Sequence, residues 1–255
     1  MKSLFKIFIF SLLAFGTAFS ATAASPQNGK SNIAARCEPP DMTKIKREVN
    51  DPNSRYYYPK LMAAYEKNDT VMTLDDYRHL YLGTVFQEDY NPYRRGPMDN
   101  LLDELYYKKT HTRAELDSII SYAEIALEDD PFDLSQINFL IYALRERGKQ
   151  HRANIWQYRL NHLLEAILST GTGLDSEHAW VVIDPKHEYN IVNFQNAIVE
   201  QVNFEAPHYD HITIRPSKPA AKSSSATEAE APHYYFDIQY ILREYFRKHP
   251  EEMTQ

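Results

Sequence analysis

The chain has 255 residues, 35 of them acidic against 28 lysines and arginines, for a formal net charge of -7. That charge is spread without a basic stripe, which excludes nucleic acid and anionic membrane as main partners. The length and a hydrophobic content of 43% suffice for one large domain or two small ones with a buried core, which excludes overall disorder.

The first element in chain order is a secretory signal peptide over residues 1–23. Lys2 and Lys6 supply its basic start, Ile7 to Phe15 its apolar run, and Ala21, Thr22 and Ala23 the small residues before cleavage. A membrane anchor is the competing reading, but roughly 20 unbroken apolar residues are needed to cross a bilayer. Ser11, Gly16, Thr17 and Ser20 interrupt this run. No later stretch is apolar and long enough to span, so the mature chain is expected outside the cytoplasm, periplasmic or secreted, without a membrane span. Cys37 is the only cysteine, so no disulfide can form within the chain. It follows Arg36 well past the cleavage site, so a lipoprotein is not expected.

Residues 24–40, rich in Ser, Asn, Ala and Pro, read as a disordered tether. Residues 41–168 read as helical. Met42, Ile45 and Val49 share one face before Asn50-Asp51-Pro52. A second helix opens at Pro59 with Leu61, Met62 and Tyr65 inward and ends near Asn68-Asp69. Thr73 with Asp76, and Thr112 with Glu115, have the spacing of capping boxes. Between these two starts, Pro97 is expected to open a helix carrying Leu101, Leu102 and Leu105. After Thr112 the apolar positions run Leu116, Ile119, Ile120, Ala123, Ala126 and Leu127. Pro131 and Asp133 break the pattern and restart it, Gly148 ends the next helix, and Trp156, Leu160, Leu163, Leu164 and Ile167 mark another.

Residues 169–250 read as an α+β region with a flexible insertion at 217–232. Trp180 to Ile183 reads as a short buried strand, Glu188 to Phe194 as a short helix, and Ala197–Phe204 with Tyr209–Ile214 as a hairpin. His233 to Ile238 returns to strand composition and runs into a last amphipathic helix. The fold class expected is α+β: an N-terminal helical layer with a tetratricopeptide-like helical hairpin packed on a small C-terminal antiparallel sheet and a final helix. Ala126, Pro131 and Ala153 carry the tetratricopeptide-like spacing, over one to one-and-a-half repeats.

The candidate binding residues are Tyr90, Asn91, Tyr93 and Arg94, since aromatics, an amide and a guanidinium in one loop suit carbohydrates, peptide ends or carboxylates. The plain alternative is a turn with packed tyrosines. His208, Asp210 and His211, with His178, His187 and Glu188 near in sequence, suggest a metal site. However, strand positions three apart face opposite ways, so none is expected. No nucleophile elbow, phosphate loop or zinc-protease pair is present. No catalytic residue and no cofactor is therefore assigned.

The chain resembles domain of unknown function family 4919, secreted proteins of Bacteroidota. The resemblance rests on Tyr57-Tyr58-Pro59-Lys60-Leu61-Met62, Tyr65, Asn68-Asp69-Thr70, Leu74 to Tyr81 with Gly83, and Tyr90-Asn91-Pro92-Tyr93. It continues through Asp130 to Leu134, Ala166 to Ser169, Gly171, Gly173, His187-Glu188-Tyr189, Tyr209-Asp210 and Tyr235-Phe236-Asp237. The resemblance implies neither substrate nor catalytic residues, and Lys218 to Ala231 depart from its pattern. The function expected is a non-enzymatic envelope module that binds a protein, peptide or glycan. The alternative is a secreted hydrolase acting on glycans or peptides.

Overall fold

The helix starts expected from the sequence are built as capping boxes. The Thr73 and Thr112 hydroxyls accept from the Asp76 and Glu115 amides, and the two carboxylates accept in turn from the Thr73 and Thr112 amides. Each such cap contributes about 1 kcal/mol. A computed structural model describes residues 37–217 and 232–254. The signal peptide, the tether as far as residue 36 and residues 218–231 of the insertion lie outside the described residues. Residues 37–40 of the expected tether are not loose: the Glu38 amide donates to Ser169 O (3.1 Å), and Arg78 donates to Glu38 O (2.9 Å).

In chain order the elements are α1 (Met42–Asn50), α2 (Tyr58–Glu66), α3 (Leu74–Gly83), α4 (Asp99–Tyr106), α5 (Arg113–Asp129), α6 (Leu134–Glu146) and α7 (Gln150–Leu168). Then come β1 (Trp180–Val181), α8 (Pro185–Phe194), β2 (Ala197–Glu205), β3 (Tyr209–Pro216), β4 (His233–Asp237) and α9 (Gln239–Lys248). The protein is α+β. No helix among the described residues is long and apolar enough to cross a membrane.

Helix α3 is the hub of the helical layer. It packs on α1, α2 and α7, and Tyr77, Leu80, Tyr81 and Leu82 are fully buried. Helices α5, α6 and α7 pack in succession, with Leu116, Ile119, Ile120, Ala123, Ala126 and Leu127 all inward, as their spacing predicts. Gly148 closes α6 at φ +70°, and its amide donates to Arg145 O while that of Lys149 donates to Leu144 O. This is the left-handed helix ending that glycine adopts without strain.

Three expectations are corrected. The sheet has the order β1-β4-β3-β2 and is mixed, because β1 pairs parallel with β4 while β2, β3 and β4 pair antiparallel. The direction of β1 is set by its entry turn: the Val181 amide donates to Thr170 Oγ1 and the Trp180 indole to Gly171 O. A Cβ on Gly171 would stand 2.2 Å from His178 O, so only glycine lets the turn fold this closely. Helix α4 starts at Asp99, two residues after Pro97, and Leu101 points to solvent while Leu102 and Leu105 are inward. Helix α8 starts at Pro185, capped by the Asp184 side chain, three residues before the expected start.

Candidate functional site

The candidate site is a cleft of about 260 Å³ where four pieces of chain converge. These are the 87–96 loop, the C-terminus of α5 with the Asp130–Asp133 turn, the N-terminus of α8, and the Tyr58 and Met62 side of α2.

The floor is a buried polar relay. His187 Nε2 lies 3.0 Å from Phe132 O, a pure acceptor, so Nε2 carries the proton. Nδ1 then accepts from the Tyr81 hydroxyl (2.7 Å), which itself accepts from the Ile183 amide (3.3 Å). Burial pushes the His187 pKa down to about 4, against the opposing pull of the Asp130 and Asp133 charges. The ring is neutral at pH 7.

Above the floor, two helix N-termini meet. The Asp133 side chain caps α6 by accepting from the Gln136 amide (3.0 Å), and that of Asp184 caps α8 by accepting from the Lys186 amide (2.7 Å). Lys186 Nζ lies 3.0 Å from Asp133 and 4.0 Å from Asp184. Burial works against the ammonium, but these two carboxylates outweigh it and hold the Lys186 pKa above its ordinary value. Burial raises Asp130 and Asp184 each to about 6; Asp133 and Asp184 add to the rise at Asp130. Asp89, Asp99, Glu128 and Asp129 complete a rim in which carboxylates outnumber cations.

The four residues singled out from the sequence divide. Tyr90, Asn91 and Arg94 line the cleft; Tyr93 does not. The Tyr90 hydroxyl donates to Ile183 O (2.8 Å), which ties the loop to the strand side of the fold. Asn91 Oδ1 accepts from the Tyr93 amide and from Lys248 Nζ. Arg94 forms an ion pair with Asp129 at the end of α5. Tyr93 turns away, donating to Ile241 O (3.3 Å) on α9. The histidines considered for a metal stand apart: His187 is in the floor, His211 pairs with Glu205 (3.0 Å), His208 lies 3.8 Å from Asp237, and His178 pairs with Asp175 (2.7 Å).

Sequence reasoning missed Asp130, Asp133, Asp184, Lys186 and Tyr81. A signal existed at Asp133 and Asp184, because an aspartate directly before a helix start, with proline at the first helical position in the second case, reads as a cap as well as a break. Nothing local announces that two caps separated by some fifty residues share one lysine. No curated protein and no solved structure matches the chain significantly. The sequence model of one family matches residues 43–247, and the chain therefore belongs to the family described as Domain of unknown function (DUF4919).

Proposed function

We propose that the chain is an exported cell-envelope module of a Bacteroidota cell that binds a protein, peptide or glycan, with the cleft under the 87–96 loop as the point of entry. One observation carries this reading. Tyr90, Asn91 and Arg94 form one side of a cleft whose other side is rich in carboxylates and whose apolar walls are Tyr58, Met62, Phe132 and Ile183. At about 260 Å³ the cleft falls below the roughly 300–1,000 Å³ of drug-sized pockets, so it suits one side chain or one sugar ring of a longer ligand. The non-enzymatic reading is supported by the way the carboxylates are used: Asp133 and Asp184 cap helices and share Lys186, and Asp129 holds Arg94. Export is supported by the basic, apolar and small segments of residues 1–23.

A hydrolase is the second reading, favoured by Asp130 and Asp184. Burial brings both to about 6, the range in which a carboxyl can give or take a proton near neutral pH.

The test compares wild type with Asp130→Asn/Asp184→Asn for retention on immobilised peptides and oligosaccharides, and for turnover of nitrophenyl glycosides. Retention by the wild type that the variant loses supports the binding module. Turnover that either single substitution abolishes selects the hydrolase. Equal retention, or neither activity, contradicts the cleft. N-terminal sequencing of protein from the envelope fraction tests export, with a start at Ala24 expected and an intact Met1 against it.

A further inference from the structure

A second surface lies beyond the ring of Tyr93, on the side away from the cleft. Tyr93 is 44% exposed, and three other large apolar side chains are open: Tyr189 on α8 (41%), and Val202 (38%) and Phe204 (57%) on β2. The strand register puts Phe204 opposite Asp210 and Asp210 opposite Phe236, in one row across the sheet. Along that row the side chains pass from fully buried Phe236 to exposed Phe204, because α8 packs on β2 without covering its far end.

At the base of this shelf are two carboxyl groups. The charge of Asp210 is felt at Tyr93, Tyr189 and Glu188, so all three lie within its electrostatic range. Glu188 is 3% exposed, and no hydrogen bond or ion pair joins its side chain to any described residue. Among the described residues no cation offsets Glu188 or Asp210; burial raises both, Asp210 to about 6. Beside them β2 ends the sheet, so its outer edge is unpaired among the described residues.

We propose that this shelf is a docking surface for an extended, basic segment of a partner protein, which lies along the free edge of β2 and places an ammonium or guanidinium at Asp210. Charge selects this occupant. A half-buried carboxyl without a counterion among the described residues, backed by buried Glu188, is what a lysine or arginine side chain relieves, its stem lying on the Tyr189 and Phe204 rings. The edge supplies main-chain groups for strand addition, and the bulge between Val199 and Gln201 leaves 201–205 as its regular part. A second copy of the chain fits poorly, since β2 carries Glu200 and Glu205 and no basic residue. The proposal stands apart from the cleft and does not depend on it.

The probe is a labelled decapeptide of alternating Lys and Thr, with an alternating Glu and Thr peptide as control, read by fluorescence anisotropy against the mature chain. The basic peptide is expected to bind, and Asp210→Asn and Phe204→Ser each to weaken it about tenfold. Asp210→Asn removes a half-buried charge that no cation among the described residues offsets, so its loss of binding is not a loss of folding, and thermal unfolding of the same sample verifies this. Equal binding of the basic peptide by wild type and both variants, or no preference over the acidic peptide, overturns the proposal. A dimer in light scattering that Phe204→Ser dissolves also overturns it, by giving the edge to a second copy.

Discussion

Lys186 Nζ stands 3.0 Å from Asp133 Oδ2, and this contact joins the cap of α6 to that of α8. The helical layer and the sheet layer are thereby pinned together at the cleft. Asp133 is 8% exposed, so without the ammonium its charge is left largely desolvated. Lys186→Met is expected to destabilise the fold by about 1 to 2 kcal/mol, less than for a fully buried pair because Lys186 keeps contact with water. Lys186→Arg should retain most of that. Urea unfolding of the three proteins measures the difference, and equal midpoints would reduce the bridge to a surface contact.

The floor makes a prediction about a proton. His187 is expected to be the Nε2–H tautomer and to stay neutral down to about pH 4. Side-chain ¹⁵N shifts read both properties. Tyr81→Phe removes the partner of Nδ1 and the acceptor of the Ile183 amide together, at a cost of about 1 to 3 kcal/mol.

The pH dependence of stability has a definite sign at Asp210. Burial raises its folded pKa from 3.8 to about 6, so the folded state holds its proton where the unfolded state has lost it. Stability from this group therefore falls as pH rises from about 4 to about 6 and then levels off. His187 works oppositely, since its lowered pKa makes stability rise with pH between about 4 and the ordinary histidine value of about 6.5. A difference measurement separates them. Asp210→Asn should match the wild type near pH 4 and exceed it above pH 7 by about 1 to 2 kcal/mol, less than the full shift implies because the half-exposed carboxylate is screened by water. A difference that does not change with pH would contradict the burial argument.

Arg94 separates binding from folding. Its ion pair with Asp129 is part exposed, and such pairs contribute about 0 to 1 kcal/mol. Arg94→Ala is expected to leave the unfolding midpoint almost unchanged and to alter ligand retention. Tyr90→Phe should do the reverse in part, since its hydroxyl anchors the loop to Ile183 O. A large loss of stability in Arg94→Ala would make the arginine a strut of the loop instead.

Much of the helical layer was legible because its signals are local. Capping boxes at Thr73 and Thr112, the apolar face from Leu116 to Leu127 and the stop at Gly148 each lie within a few residues of what they specify. The hairpin of β2 and β3 was legible for the same reason. The parallel pairing of β1 was not, since two residues carry no mark of strand direction. Leu101 is exposed because it lies one step off the i, i+3 face that Leu102 and Leu105 form. At the site, the loop could be picked out from residue types. The groups opposite it could not, because Tyr81 and His187, or Asp133 and Lys186, meet only through tertiary packing. Asp133, read as a breaker, is a cap as Asp184 is, and the second oxygen of each faces Lys186.

The central claim is that a ligand enters the cleft beneath the 87–96 loop. Photo-crosslinking in the living cell tests it most directly, with a benzophenone side chain at Asp89, which is exposed on the cleft rim, and at Leu174, which is 62% exposed and outside the cleft. The account predicts a discrete adduct from position 89 that Asp130→Asn/Asp184→Asn diminishes, and none from position 174. Absence of an adduct at position 89, or the same adduct from both positions, would contradict it.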